Sequence, residues 1–97
     1  MATLNETIHQ PVRLRIMATL VTLVEGEEVD FTYLRDLLEV TDGNLGAHLR
    51  KLEDAGYIAI NKTFVERKPR TYIAATAEGR KVFQEHVAAL ESILKSK

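Results

Sequence analysis

The segment from residue 31 to residue 57 constrains the fold of this chain more strongly than any other part of the sequence. It consists of FTYLRDLLEVTDGNLGAHLRKLEDAGY. The pattern predicts a short helix, a tight turn and a longer amphipathic helix that ends at a glycine. Thr41 is a favourable N-cap for the longer helix. Leu45, Leu49 and Leu52 recur at the spacing of one buried helix face. Two helices joined by a turn are therefore expected here.

A predicted β-hairpin with a basic tip follows these two helices. Residues 57–64 and 71–75 are strand-like, and the sequence ERKPR lies between them. The whole chain has a net charge of −1, from 13 basic and 14 acidic residues. Positions 62–70 nevertheless hold four basic residues and one acidic residue, whereas positions 25–30 hold four acidic residues. The charge is therefore segregated, and its positive part lies on the hairpin.

Further elements are predicted before the helix-turn-helix. A first helix runs from about Pro11 to Val24, is apolar over most of its circumference and is ended by Gly26. Residues 27–31 can form a short strand. Residues 1–8 are expected to form a loosely held arm.

The last helix is predicted at about residues 77–95, after a capping pattern that begins at Thr76. Its length of ~28 Å, at 1.5 Å per residue, matches the width of a small domain, so its apolar C-terminal half should extend beyond its own core. With helix 3 at about 42–55 and a wing at about 57–75, the predicted fold is mainly α with a small β-hairpin wing. A single domain over residues 1–97 is expected: a winged helix-turn-helix with an extended C-terminal dimerisation helix.

The composition excludes several classes of function. The chain has no cysteine, which excludes disulfides and thiolate metal sites. No apolar run is long enough to span a membrane and no signal sequence is recognised, so a cytoplasmic location is the default expectation. The histidines at positions 9, 48 and 86 are far apart in the sequence and belong to no metal-binding or catalytic motif. A protein that is not an enzyme, with no metal and no cofactor, is expected.

The motifs of the helix-turn-helix and the hairpin also resemble a known family. VTDGNLGAHLRKLEDAGYIAI, followed by RKPRTYIAATAEGRKVF, is similar to the winged helix-turn-helix transcriptional regulators of the MarR/ArsR broad type. The resemblance is closest to the small stand-alone regulators of bacteria and archaea, and it extends from about Arg13 to the C-terminus. It implies a homodimer that binds double-stranded DNA, with helix 3 in the major groove and the wing on the flanking backbone or minor groove.

The resemblance, together with helical projection, also implies a set of DNA-binding residues. Projection of helix 3 places four residues opposite the buried leucines, Gly43, Ala47, Arg50 and Asp54, with Asn44 and Lys51 beside them. The family's recognition positions and wing map onto the rest. The complete predicted set is Thr41, Asp42, Gly43, Asn44, Ala47, His48, Arg50, Lys51, Arg67, Lys68 and Arg70.

A dimer interface is predicted on the first and last helices, because both are more apolar than one buried face requires. The predicted residues are Val12, Ile16, Leu20, His86, Val87, Leu90, Ile93 and Leu94. A two-fold dimer implies an inverted repeat in the DNA, with half-sites ~10 bp apart.

Other interpretations of the same features remain open at this point. The polar face of helix 3 and the hairpin tip could be ordinary solvated surface. The same fold also serves as a module for protein–protein contact. A sensor that responds to an unknown small-molecule effector would leave little local signature in the sequence.

Overall fold

The computed structural model describes residues 4–96 and shows four helices packed around a small sheet. The elements are α1 (Pro11–Val21), β1 (Val29–Asp30), α2 (Phe31–Leu38), α3 (Asp42–Asp54), β2 (Ile58–Val65), β3 (Lys68–Ala75) and α4 (Ala77–Lys95). The three strands form one antiparallel sheet in the order β1-β3-β2. Helices α2 and α3 are the helix-turn-helix and the β2–β3 hairpin is the wing, so the predicted fold class is confirmed.

The buried face of α3 lies at the centre of the core. Leu45, Leu49 and Leu52 are all buried, as their spacing predicted. Helix α2 buries Leu34 and Leu38, which are one helical turn apart, but Leu37 is 46% exposed. Leu37 does not point inward, because this short helix buries only one narrow stripe. The other buried apolar residues are Ile8, Ile16, Met17, Leu20, Val29, Ile58, Ile73 and Ala89.

Side-chain caps set where α2 and α3 begin. The Asp30 carboxylate accepts hydrogen bonds from the backbone N–H groups of Thr32 and Tyr33, so α2 begins at Phe31. Thr41 caps α3 as predicted, because its hydroxyl accepts from the Asn44 N–H at 3.1 Å. These caps satisfy N–H groups that the first helical turn leaves unpaired.

Helix α1 ends at Val21, three residues before the predicted end. The Arg80 guanidinium donates to the backbone oxygens of Val21 and Leu23 at 3.3 and 3.0 Å. The Leu23 N–H bonds to the Leu20 oxygen, a tighter turn than the α-helical ladder makes. The last carbonyls of α1 therefore turn towards Arg80, which the apolar pattern of the segment did not reveal.

The N-terminal segment is held in place from residue 4 onwards, so the prediction of a loose arm was wrong there. Ile8 is fully buried, and the backbone N–H of Asn5 donates to Nδ1 of His86 at 3.1 Å. The Asn5 amide also donates to the Tyr57 hydroxyl at 3.0 Å. One buried side chain and two long-range hydrogen bonds thus fix this segment. Residues 1–3 of the predicted arm lie outside the described residues.

Over residues 4–96, no helix combines the length and the apolar character that crossing a membrane requires.

Candidate nucleic-acid interface

The outward face of α3 presents polar and small side chains to solvent. Asn44, Ala47, Arg50 and Lys51 lie on the side of the helix opposite the three buried leucines, and none of them is buried. Such a helix can enter a major groove without disturbing the core, because no residue on this face contributes to the core. The predicted recognition residues on this helix are thereby brought to one surface.

The first turn of α3 forms an ion pair with an arginine of α2 that sequence reasoning missed. Arg35 of α2 donates to the carboxylate of Asp42 at 2.8 Å and also pairs with Asp36 at 3.0 Å. Hydrogen bonds to Asp42 and Asp36 raise the pKa of the guanidinium above its ordinary value. Asp42, a predicted DNA-binding residue, is therefore already engaged by a positive charge. Because the pair spans the turn between the two helices, neither the α2 nor the α3 pattern predicts it.

The two glycines of α3 have open space around them. A Cβ atom added at Gly43 or at Gly46 would meet no atom within 4 Å, apart from chain neighbours and the helix's own backbone. Close packing against α2 therefore does not explain these glycines. Glycine costs ~1 kcal/mol relative to alanine inside a helix, and at Gly43, on the exposed face, an external surface that approaches the backbone would justify that cost.

His48 lies on the flank of α3 and contacts α1 through one of its two ring nitrogens. Its Nδ1 lies 3.1 Å from Nη1 of Arg13, which can only donate, so His48 accepts and is neutral. Burial, and then the charges of Arg13 and Lys51, lower the pKa of His48. This predicted DNA-binding residue is thus placed as a link between α1 and α3.

The wing ends in a two-residue turn with an unusual backbone. Val65 pairs with Lys68, so that only Glu66 and Arg67 lie in the turn. Both have positive φ, 52° and 67°, which fits a type I′ hairpin turn normally made by asparagine and glycine. The strands extend further than predicted, and every residue from 61 to 70 is exposed.

The three basic residues predicted on the wing are not equivalent. Arg70 pairs with Asp30 at 2.7 Å. Burial alone would raise the pKa of the Asp30 carboxyl, but hydrogen bonds from the Thr32 N–H and from Arg70 hold it below its ordinary value. Arg67 and Lys68 form no ion pair within residues 4–96. The tip therefore offers two uncommitted positive charges, and Arg70 braces the wing against β1.

Contacts at the base of the wing explain why Thr76, Gly79 and Arg80 are found at the start of α4. The Thr76 hydroxyl accepts from the Gly79 N–H and donates to the Gly56 oxygen at 2.7 Å. A Cβ atom at Gly79 would lie 2.0 Å from the backbone oxygen of Tyr57. Only glycine fits at this crossing, and Arg80 holds the end of α1 next to it. The T-x-x-G-R sequence thus fixes α3, the wing and α4 relative to one another.

An open cleft of about 570 Å³ separates α3 from the hairpin. Arg50 and Glu53 line it from α3, and Lys62 and Thr71 line it from the hairpin. Its apolar walls are Phe31, Leu49 and Ile60. The recognition face and the wing therefore lie on the two sides of one concave surface.

The structure divides the residues predicted for a dimer interface into two groups. Ile16, Leu20 and His86 are buried inside the chain's own core, so they have no surface to offer a second copy. Their apolar spacing cannot tell a partner helix from the chain's own core. The remaining predicted residues are half-buried or exposed: Val12, Val87, Leu90, Ile93 and Leu94.

His86 is enclosed by the N-terminal segment. Its Nδ1 accepts from the Asn5 N–H, so the ring proton is on Nε2, which lies 3.4 Å from Nδ1 of His9. Burial, and then the charge of His9, lower the pKa of His86. The protonated Nε2 has no lone pair for a metal ion. The hydrogen bonds of His86 with Asn5 and His9 explain why the two histidines lie side by side.

The fold and this surface define a class of protein. A helix-turn-helix with an exposed polar face on its second helix, beside a basic two-stranded wing, is a winged helix-turn-helix. Residues 12–94 match the family model described as winged helix DNA-binding domain. The chain therefore belongs to the winged helix DNA-binding domain family. This is a family of regulators and not of enzymes.

Relatives and solved structures agree with this assignment. An uncharacterized protein of Methanocaldococcus jannaschii is 35% identical over 85 residues, which cover 88% of this chain and 89% of the relative. A transcriptional regulator homologue from Pyrococcus horikoshii superimposes with a TM-score of 0.84 at 29% identity, covering 93% of this chain and 86% of that one. A MarR-family protein from Enterococcus faecalis gives a TM-score of 0.71 at 26% identity, with coverage of 92% and 74%. The similarity to MarR-type regulators predicted from the sequence is confirmed.

Proposed function

We propose that this protein is a sequence-specific transcriptional regulator that binds double-stranded DNA as a homodimer. Helix α3 enters the major groove, where Asn44, Arg50 and Lys51 meet base edges and phosphates. The wing lies over the flanking backbone and minor groove, with Arg67 and Lys68 as its phosphate contacts. Asp42, whose charge Arg35 offsets, lies at the end of α3 that would enter the groove.

The observation that carries this proposal is the pairing of two exposed surfaces on one side of the molecule. The polar face of α3 has no role in the core, and the uncommitted positive charges lie on the adjacent wing. A module for protein–protein contact would be expected to expose apolar side chains there instead. Apart from the wing tip, the recognition face exposes polar and small residues.

The proposal of a homodimer depends on exposed apolar residues at the end of α4. Ile93 and Leu94 are 47% and 71% exposed on a helix that runs to Lys95. Soluble monomers seldom leave such neighbouring apolar side chains uncovered. A two-fold contact covers them on both copies at once and presents two recognition helices to an inverted repeat.

Binding-site selection from random duplex DNA with the purified protein tests the proposal. A two-fold symmetric consensus with half-sites ~10 bp apart is expected. The variant Arg50→Ala should lose preference at one base position of each half-site, because a bidentate arginine contact discriminates by ~1–3 kcal/mol. Recovery of no consensus, with binding no tighter than to random DNA, would contradict sequence-specific regulation.

The dimer has its own test, because its exposed residues can be changed without disturbing the core. Ile93→Glu with Leu94→Glu should produce monomers in sedimentation and a large drop in affinity for the two-half-site DNA. Ser92→Glu with Ser96→Glu adds the same charge within the last turn of α4 and at its C-cap, and should leave the dimer intact. A wild-type protein that sediments as a monomer at micromolar concentration would refute the dimer.

The cleft beside α3 favours a second candidate function, response to a small-molecule effector. Its apolar walls and its two basic residues, Arg50 and Lys62, suit a small aromatic carboxylate. Benzoate should then raise the melting temperature and release DNA, and Lys62→Ala should weaken both effects. Equal melting temperatures with and without millimolar benzoate would count against this function.

A further inference from the structure

Phe64 is the most exposed large apolar side chain of the wing, with 73% of its surface accessible. It lies in β2, one residue before the final pair of the hairpin. Strand alternation places it on the same face as Ile58, which is buried, and Lys62, which lines the cleft. Phe64 therefore continues the row of side chains that faces α3, but beyond the end of the core.

The surroundings of Phe64 combine an apolar partner with positive charge. Pro69 lies directly opposite Phe64 in the β2–β3 register. Arg67 and Lys68, the two uncommitted cations of the tip, lie between these two residues in the chain. An aromatic ring and a proline ring thus form one small apolar surface. Arg67 lies in the turn at the end of this surface, and Lys68, which pairs with Val65, lies on the opposite face of the hairpin.

This surface has no structural role within the chain. All residues from 61 to 70 are exposed, so Phe64 contributes nothing to the described core. A phosphate contact requires a cation and no aromatic ring. A second copy that packed tip to tip would bring the cations of both wings together, which like-charge repulsion disfavours. A polyanion whose stacked bases have apolar faces complements both parts of the surface.

We propose that Phe64, backed by Pro69, inserts into the DNA minor groove as an apolar wedge while Arg67 and Lys68 hold the phosphates on either side. Phenylalanine and proline are among the side chains that minor-groove proteins place against base steps. This inference rests on the proposed function and adds to it a contact that is not electrostatic. The wing then contributes both a salt-dependent and a salt-independent part of the affinity.

The test is the affinity for the selected DNA site, measured at several salt concentrations. Phe64→Ala should weaken binding about tenfold or more, because it removes a buried aromatic contact. The slope of log K against log salt should not change, because every phosphate keeps its cation. Phe64→Leu keeps an apolar wedge and should restore most of the affinity.

Val65→Ala is the matched control for this experiment. Val65 is the next residue in the strand, is also exposed, and points to the opposite face of the hairpin. Its truncation should leave the affinity unchanged. Both side chains are exposed, so the melting temperature of each variant should equal that of the wild type.

Several outcomes would overturn the wedge and not the proposed function. Wild-type affinity in Phe64→Ala would do so, as would an equal reduction in Val65→Ala, which indicates general damage to the hairpin. A change of sedimentation coefficient in Phe64→Ala at unchanged DNA affinity would assign Phe64 to a contact between copies. Absence of specific DNA binding by the wild type would instead remove both proposals.

Discussion

The N-terminal corner and the wing are held in opposite ways. In the corner, which we define as residues 4–9 with the part of α4 that they cover, Ile8 and His86 are buried and Asn5 bonds across 81 positions of sequence. In the wing tip, residues 61–70, every side chain is exposed and the backbone ladder gives most of the support. The corner is therefore held by tertiary contacts and the wing tip by hydrogen bonds between its own two strands.

The corner should therefore contribute mainly to stability, and the wing tip mainly to binding. Changes in the corner should lower the free energy of unfolding and leave the DNA contacts of the folded protein intact. Changes of Phe64, Arg67 or Lys68 in the wing tip should lower DNA affinity and have much less effect on the free energy of unfolding. Substitutions in either region can therefore test this division.

Ile8→Ala should have the largest effect on stability. Truncation of a fully buried isoleucine costs ~2–5 kcal/mol, from reduced burial and the cavity left behind. Urea unfolding followed by circular dichroism measures this change. Val24→Ala is the control, because Val24 is exposed and should change the free energy of unfolding by less than ~0.5 kcal/mol. If both variants unfold like the wild type, the corner is loose and the comparison fails.

Gly79→Ala should have the second-largest effect on stability. The new methyl group would overlap the backbone oxygen of Tyr57, which cannot move without shifting the start of β2. Overpacking of this kind costs ~1–3 kcal/mol, and the overlap with backbone places it at the upper end. A melting temperature within about 2 °C of the wild type would show that the crossing of α4 and β2 is not tight.

Gly43→Ala should act in the opposite direction on stability. It replaces a helical glycine with open space around it, which should raise the free energy of unfolding by up to ~1 kcal/mol. Affinity for the selected DNA should fall, because the added methyl group keeps the phosphate backbone away from α3. A variant that is more stable and binds DNA as tightly as the wild type would show that Gly43 is not needed for DNA binding.

Glu66→Asn should slightly increase the stability of the wing hairpin. Glu66 has a left-handed backbone conformation that asparagine adopts with less strain, so the hairpin should gain ~0.5–1 kcal/mol. Removal of a negative charge from the basic tip should also tighten DNA binding at low salt. Thermal unfolding and a binding titration measure the two effects. Weaker DNA binding would show that the carboxylate of Glu66 itself contributes to the interface.

Acidification should weaken the contacts of two histidines, His86 in the corner and His48 on α3, and should not affect the wing. Burial lowers the folded-state pKa of both His48 and His86, so the unfolded chain binds more protons once the pH falls below ~6.5. Stability should therefore be complete above that pH and decrease below it. His86→Asn retains an acceptor for the Asn5 N–H and cannot be protonated, so its stability should fall less between pH 7 and pH 5. Parallel profiles for variant and wild type would refute this origin of the pH dependence.

Features with a local pattern could be predicted from the sequence. The buried stripe of α3, the cap at Thr41 and the strand–tip–strand order of the wing each depend on a few neighbouring residues. The winged helix fold followed from their order and is confirmed by the structure and by the family. The predicted DNA-binding residues on α3 and the wing now have positions in the structure, while their roles remain proposals.

Features that depend on distant contacts could not be predicted. The pairs Arg35–Asp42, Arg70–Asp30 and Asn5–His86 join different elements, and no periodicity encodes them. The apolar residues of α1 and α4 gave a correct signal of burial, but they could not tell the chain's own core from a second copy. That is why Ile16, Leu20 and His86 were predicted at an interface and lie in the core instead.

The salt dependence of DNA binding shows whether α3 and the wing tip form a DNA interface. Arg67→Ala with Lys68→Ala should flatten the slope of log K against log salt by ~1.8 per wing, about 0.9 for each phosphate that the wing no longer neutralises. Arg15→Ala with Lys81→Ala removes the same charge from α1 and α4, where both side chains are exposed, and should leave the slope unchanged. Identical slopes for the wild type and the wing variant would contradict the account.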